Sequence, residues 1–336
     1  MEVVHITRKP RQGQFSIERV FEVVRTELVL KVRCRLVQCP FSGGLFGRIL
    51  NALHVRSHRG EINHILGDVH YVALALPRPS IVLTIHDAAA LERMRGWRRT
   101  LYKWLWFELP ARRAKFITVI SEATKRTLVR ELRLPAEKIT VIPDCISKAF
   151  KPHPKLELAE TPVVLQIGTK RNKNLLRLAE ALRGSPCLLE IIGRLSDEQK
   201  NALRDIRYRN SWDLSEEQLI QKYRECDIVA FVSTVEGFGM PIIEAQTVGR
   251  PVLASNASSI PEVAGDAACY VDPVNVESIR AGLLRLINDR EYREALVQRG
   301  FTNAERFSAK SVASAYEQVY RLVAIAGRVP PGTELA

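Results

Sequence analysis

CDIVAFVSTVEGFGMPIIEAQTVGRPVLASNASSIPEVAGDAACYVDP, running from Cys226 to Pro273, decides how this chain folds. Asp227 to Val232 is a nearly unbroken apolar, β-branched run of strand length, the pattern of a strand buried on both faces of a parallel sheet. The loop Ser233 to Met240 holds Gly237-Phe238-Gly239, and Pro241 then opens a helix through Gln246 with proline in its first turn. Gly249 stops that helix, and Arg250 to Ser255 supplies the next strand. In a unit that reads strand, glycine loop, helix, strand, a ligand sits at the carboxyl end of the strand and the amino end of the helix.

The loop's residues set the chemistry. Gly237 and Gly239 permit a backbone path that brings amide hydrogens close to a polyhydroxylated or anionic ligand, and Glu236 and Glu244 flank them with seven residues between. Glu244 is placed in the helix's first turn, where its carboxylate accepts two hydrogen bonds from a vicinal diol, while Glu236 reaches the ligand from the loop. Either glutamate alone reads as a dipole-complementing or solvated side chain; the two together with the glycines and Pro241 read as a site.

Glu236-Gly-Phe-Gly-Met-Pro-Ile-Ile-Glu244-Ala, Gly249-Arg-Pro-Val and Ser259-Ile-Pro-Glu-Val-Ala-Gly265-Asp-Ala-Ala closely resemble the signature of the family 4 retaining glycosyltransferases. The resemblance implies an α/β chain of the GT-B fold, two Rossmann-like domains facing each other across a cleft. It implies further that Glu244 binds the ribose hydroxyls of a nucleotide, Glu236 contacts the transferred sugar, and the backbone at Gly237, Phe238 and Gly239 holds sugar hydroxyls and phosphate.

Composition bounds the rest. The chain has 336 residues, 46% of them apolar and 26% charged, enough for two medium domains with full cores. Its longest apolar runs, such as Tyr71 to Leu76, fall far short of the roughly 20 residues that span a bilayer, and Met1 to Arg8 begins as a strand rather than a signal peptide, so a cytoplasmic location is expected. Six cysteines without a C-x-x-C pair read as reduced core thiols. Residues 1–150 carry 26 Lys or Arg against 13 Asp or Glu, and the remainder carries 24 of each, so the whole excess of +13 lies in the first half. That half is expected to meet something anionic: a lipid phosphate, an acidic membrane surface or an acidic polysaccharide. Nucleic acid is not expected as a partner, because no helix-turn-helix, zinc-finger or RNP-like pattern accompanies the arginines.

Val3 to Ile6 reads as the first strand, and Ser16 begins a helix through about Thr26. In the loop between them Arg8, Lys9, Arg11 and Gly13 are candidate acceptor contacts, an arginine-rich clamp for an acceptor phosphate at a strand's carboxyl end. Phe41 to Leu53, apolar and jointed by glycines, is expected to shape the cleft. Four histidines between positions 54 and 70 match no metal-binding spacing. His86 ends the strand Ile81 to Ile85 at the edge where open α/β sheets bind ligands, and by the resemblance it reaches across the cleft toward the donor sugar. From Arg93 to Lys115 the sequence is both aromatic and basic. Leu101, Trp104, Leu105 and Glu108 share one helical face while Trp97, Tyr102 and Trp106 occupy others among arginines, a combination suited to a headgroup layer.

Prolines 143, 152, 154 and 162 mark the junction to a second sheet starting at Val163. Gly168 opens the turn Thr169-Lys170-Arg171-Asn172-Lys173-Asn174, which leads into the helix Leu175 to Leu182. Three cations at a helix amino terminus call for an anion, and a diphosphate would supply it. The resemblance matches Lys173 to the family's diphosphate lysine and leaves Lys170 or Arg171 as the second cation. Tyr208 to Trp212 fall where the family contacts the nucleobase. A tail helix from about Ala304 to Ile325 is expected to cross back to the amino-terminal domain, giving domains at 1–150 and 151–305 and a crossing helix at 306–330.

The function expected is a hexosyltransferase moving sugar from a UDP- or GDP-linked donor, a substrate rather than a cofactor, to a glycan or lipid-linked acceptor hydroxyl with retention. Glu236, His86 and Lys173 are its catalytic candidates; Glu244, Gly237, Phe238, Gly239, Met240, Lys170, Arg171 and Gly168 bind the donor. No Asp-x-Asp pair occurs, so no metal is expected; Lys173 with its neighbouring cation and the helix dipole at Met240-Pro241 take its place at the leaving diphosphate. The alternative is a catalytically silent protein of the same fold that binds nucleotide sugar and an anionic membrane or polymer.

Overall fold

The structure, a computed structural model, describes residues 1–9, 16–87, 96–155 and 157–328. The chain forms two compact units, Ile146–Ser308 and Met1–Cys145, the latter joined by the helix Ala309–Arg328. The two places where the backbone passes between units are tied together, since Ile146 N donates to Phe307 O at 3.0 Å.

In the first unit β1 (Glu2–Thr7), β2 (Arg33–Gln38), β3 (Ile62–Ile65), β4 (Ile81–Ile85), β5 (Phe116–Val119) and β6 (Ile139–Val141) make one parallel sheet in the order β2-β1-β3-β4-β5-β6. Helices α1 (Ser16–Leu28), α2 (Leu45–Ser57), α3 (Gly96–Lys103), α4 (Leu109–Arg113) and α5 (Glu122–Leu132) connect the strands. Side chains alternate across the pleat. Val4, Ile6 and Leu83 enter one core with Phe107 and Leu128, and Val3, Ile62 and Val82 enter another with Phe21 and Val24.

In the second unit β7 (Val163–Ile167), α6 (Leu175–Leu182), β8 (Leu188–Ile192), α7 (Asp197–Ala202), β9 (Tyr208–Ser211), α8 (Glu216–Glu225), β10 (Ile228–Phe231), α9 (Met240–Val248), β11 (Val252–Ser255), α10 (Ile260–Ala264), β12 (Cys269–Val271), α11 (Val276–Asn288) and α12 (Arg290–Ala304) follow in sequence. The parallel sheet runs β12-β11-β10-β7-β8-β9, the strand order of a Rossmann-like domain. Serine starts two of these helices with complete capping boxes, Ser196 with Gln199 and Ser215 with Gln218. Asp227, buried before β10, accepts from Val163 N at 2.8 Å and pairs with Lys155 at 2.6 Å, pinning the start of two adjacent strands. All six cysteines are free, and every one but Cys34 is buried.

The tail departs from the expected single helix. α12 ends at Ala304, a 3₁₀ turn spans Glu305–Phe307, extended Ser308 breaks the run, and α13 (Ala309–Arg328) begins afresh. Burial of Phe307 edge-on to Phe238, with centroids 5.6 Å apart, requires that break. α13 then packs its Tyr316, Val319, Tyr320 and Val323 into the first unit's core beside α1.

The aromatic and basic stretch also differs from expectation. α3 passes through a π-helical turn at Trp104–Glu108 before α4. Tyr102 and Trp106, four residues apart, share the inward face, where Trp106 stacks on Tyr102 at 5.6 Å and meets Tyr71 at 5.1 Å. Trp97, Leu101, Trp104 and Leu105 are exposed instead.

Candidate donor site

β7 and β10 are neighbours whose connections leave in opposite directions, so their following loops diverge and open a crevice at the carboxyl edge. The two loops are stitched together at its base. Thr234 N donates to Asn172 O at 2.9 Å, Asn172 Nδ2 donates to Val235 O at 3.0 Å, and Asn174 Nδ2 donates to Val232 O at 2.9 Å. Gln166, buried at the end of β7, donates to Lys173 O at 3.0 Å and so holds the cationic turn from beneath.

Lys173 is the centre of the arrangement. Its Nζ lies 2.7 Å from Glu236 Oε1 and 4.7 Å from the centroid of the Phe231 ring, a charged hydrogen bond on one side and an aromatic face on the other. Gly168, at φ +89°, makes the room: a Cβ there would stand 3.0 Å from Lys173 Cγ and 3.1 Å from its Cε. Asn172 Nδ2 also donates to Glu236 Oε1, at 3.2 Å.

The anion expected at the cationic turn is therefore supplied, for Lys173, by Glu236. Lys170 and Arg171 point into solvent and take part in no ion pair among the described residues. Glu236 is fixed from its other side by α10's approach: Ser258 Oγ donates to Glu236 O at 2.6 Å, and Ser259 Oγ donates to Phe238 O at 2.7 Å. Phe238 and Gly239 are buried and Gly237 is half-buried, so this loop presents backbone rather than side chain at its surface. Gly239, at φ +130°, is the residue before α9, and a Cβ on it would meet Ile242 at 3.1 Å and Phe231 at 3.4 Å.

Glu244 is not in the first turn of its helix. α9 starts at Met240 with Pro241 second, which makes Glu244 the fifth residue. Its Oε2 accepts a 2.5 Å hydrogen bond from Tyr223 OH. Burial, with Glu244 beside it, pushes the Tyr223 phenol well above its ordinary value, so this donor keeps its proton throughout the physiological range. Sequence reasoning missed Tyr223, Asn172, Ser258 and Gln166. Ser258 borders the Ser259-Ile-Pro-Glu motif and Gln166 bonds the turn that follows its own strand, but Tyr223 acts from one helix to another with no local signal.

The remaining candidates belong to the first unit. His86 Nε2 lies 2.8 Å from Leu66 O, and Nδ1 lies 4.0 Å from Asp144 Oδ1, with Phe21 edge-on at 6.1 Å. Burial raises the Asp144 carboxyl, and His86 acts against that rise. Arg8, expected as a free acceptor clamp, is engaged by two carboxylates, Glu18 at 3.1 Å and Asp68 at 2.9 Å. Lys9 is exposed, and Arg11 and Gly13 lie outside the described residues.

In sequence and in fold the chain is similar to known glycosyltransferases. The profile described as Glycosyl transferases group 1 matches residues 149–302, and that described as Glycosyltransferase Family 4 matches 12–150. The O-antigen chain mannosyltransferase B of Escherichia coli is 27% identical over 80% of this chain and 76% of its own. The MMP alpha-(1->4)-mannosyltransferase of Mycolicibacterium hassiacum is 27% identical over 71% of this chain and 64% of its own. Among solved structures, HepE of Anabaena in complex with UDP and glucose superposes with a TM-score of 0.79 over 96% of this chain and all of its own, at 16% identity.

Proposed function

Because the chain belongs to the family 4 glycosyltransferases of the GT-B fold, we propose that it is a hexosyltransferase of cell-surface polysaccharide biosynthesis. It moves a sugar from a nucleoside diphosphate donor to a hydroxyl of a glycan or lipid-linked acceptor, with retention and without a metal. The observation that carries this reading is Lys173 held by Glu236 at the switch point of the second sheet. Mannosyltransferase names among the relatives support a hexose, and an O-antigen relative supports a polysaccharide acceptor.

The residues act as follows in this proposal. The donor diphosphate meets Lys173 and the exposed Lys170 or Arg171, and displaces Glu236 from Lys173. Freed, Glu236 accepts hydrogen bonds from the sugar, while Glu244, oriented by Tyr223, accepts from the ribose hydroxyls. As the glycosidic bond to phosphate breaks, negative charge builds on the leaving diphosphate; Lys173 and the amide hydrogens at the start of α9 stabilise it. These cations supply the electrostatic role that a metal fills elsewhere. The acceptor enters on the face the diphosphate leaves, and the departing phosphate oxygen takes its proton.

Calorimetric titration with UDP and then GDP, in chelator, tests the reading. Binding of one nucleotide with a clear preference is expected. If neither binds, the donor-site reading fails; if one binds but its sugar donor releases no nucleoside diphosphate when acceptor glycan is added, the silent-protein alternative takes over.

A further inference from the structure

α2 carries its apolar face outward. Asn51 and Val55 are its buried residues, while Leu45 is 76% exposed, Phe46 74%, Ile49 51% and Leu53 57%. At about 100° per residue those four fall within a single arc on the side away from Asn51 and Val55. Scattered exposed leucines need no explanation, but a contiguous stripe of this kind on a helix marks a contact.

Charge says with what. No Asp or Glu occurs between Glu27 and Glu61, and within that interval Arg48, Arg56 and Arg59 are exposed on or just after α2. Arg48 also places its guanidinium 4.9 Å from the centre of the Trp106 ring, which joins α2 to the segment carrying exposed Trp104 and Leu105. A protein partner for such a stripe would have to supply both an apolar groove and an acidic rim. A bilayer with anionic headgroups supplies an acyl boundary and phosphates in one surface. No described helix is long and apolar enough to cross a membrane, so the contact lies in the plane of the interface.

We propose that α2 is a membrane-docking helix. Leu45, Phe46, Ile49 and Leu53 enter the headgroup and acyl boundary of an anionic bilayer, and Arg48, Arg56 and Arg59 pair with lipid phosphates. The expected contact moves from Trp106, which is turned inward, to α2. The inference rests on the first unit alone and stands or falls separately from the donor site.

Co-sedimentation of the full chain with vesicles tests it. Vesicles of phosphatidylcholine with about one-third phosphatidylglycerol are expected to bind roughly a hundredfold better than phosphatidylcholine alone, about fivefold for each of three arginines, and high salt removes most of the difference. Phe46→Ser with Ile49→Ser lowers binding at least about tenfold with the thermal midpoint unchanged, because both side chains are already in solvent. Should that pair fold poorly, Arg56→Glu with Arg59→Glu abolishes the preference for phosphatidylglycerol. Undiminished vesicle binding by both variants overturns the proposal. So does a wild-type dimer in sedimentation equilibrium that Phe46→Ser with Ile49→Ser converts to monomer while neither protein binds vesicles, since a second copy would then cover the face.

Discussion

Lys173 and Glu236 neutralise one another at 2.7 Å, so the proposed diphosphate would part them as it binds. Glu236→Gln removes that competition, and it is predicted to tighten nucleoside diphosphate binding several-fold in calorimetry while lowering kcat, two effects of opposite sign from one substitution. Lys173→Ala loses the charge at the leaving group, with a fall in kcat/KM of about 10²–10³-fold. Gly168→Ala acts on the same lysine indirectly. The φ of +89° costs an alanine about 1 kcal/mol or more, and the added methyl lies 3.0 Å from Lys173 Cγ. A lower thermal midpoint and reduced turnover together are expected. Glu236, Glu244, Lys173 and the glycines were legible because each is a chemical type at a recognisable distance from a strand end. Tyr223 was not, because its hydroxyl reaches Glu244 only after α8 and α9 have packed across β10.

Among the elements, expected and observed limits agree best in the second unit, where Gly249 stops α9 and Leu175 to Leu182 forms α6. The first unit was harder to read. The face carrying Tyr102 and Trp106 looks inward rather than the one carrying Leu101 and Trp104, and the outward stripe of α2 has the same spacing as a stripe facing a core; periodicity reports a face without saying which way it looks. α13 shows what the buried histidines do. Tyr320 OH lies 2.9 Å from His5 Nε2 and 2.7 Å from His64 Nδ1, and His64 Nε2 continues the chain to Thr84 Oγ1 at 2.6 Å. Tyr320→Phe leaves His5 Nε2 and His64 Nδ1 without this partner and is predicted to cost about 1–3 kcal/mol in urea unfolding. Burial depresses His5 to about 3, His70 to about 4, and His64 well below its ordinary value. Unfolded histidines bind protons below about pH 6.5 that the folded ones refuse. Stability is therefore full above that pH and falls as the pH drops toward the folded values, by up to about 1.4 kcal/mol per unit for each histidine. A midpoint in urea that stays flat between pH 7 and pH 5 would contradict this.

At the scale of the whole molecule, the positive charge and the candidate donor crevice lie in different units. The excess of +13 belongs to residues 1–150, while the donor crevice is built entirely from Ile146–Ser308. Raising salt is predicted to weaken vesicle association strongly and nucleotide affinity far less, because the Lys173 site is enclosed and surface charge is screened first. Deleting α13 separates the units in another way. Without Tyr316, Tyr320 and Val323 the core behind Phe21 and Val24 is uncovered, and limited proteolysis should degrade the first unit while the second remains intact and binds nucleotide.

The composition of the first unit from two distant segments also governs its synthesis. Its six strands leave the ribosome before any of the second unit, yet the helix that fills their open side is translated only after Ser308. For the whole time the second unit is being made, the early sheet waits with Val3, Phe21 and Ile62 uncovered. Domains that complete themselves in order need no such interval. Here the first unit is completed only once the second already exists, so an apolar sheet face stays open to solvent during synthesis.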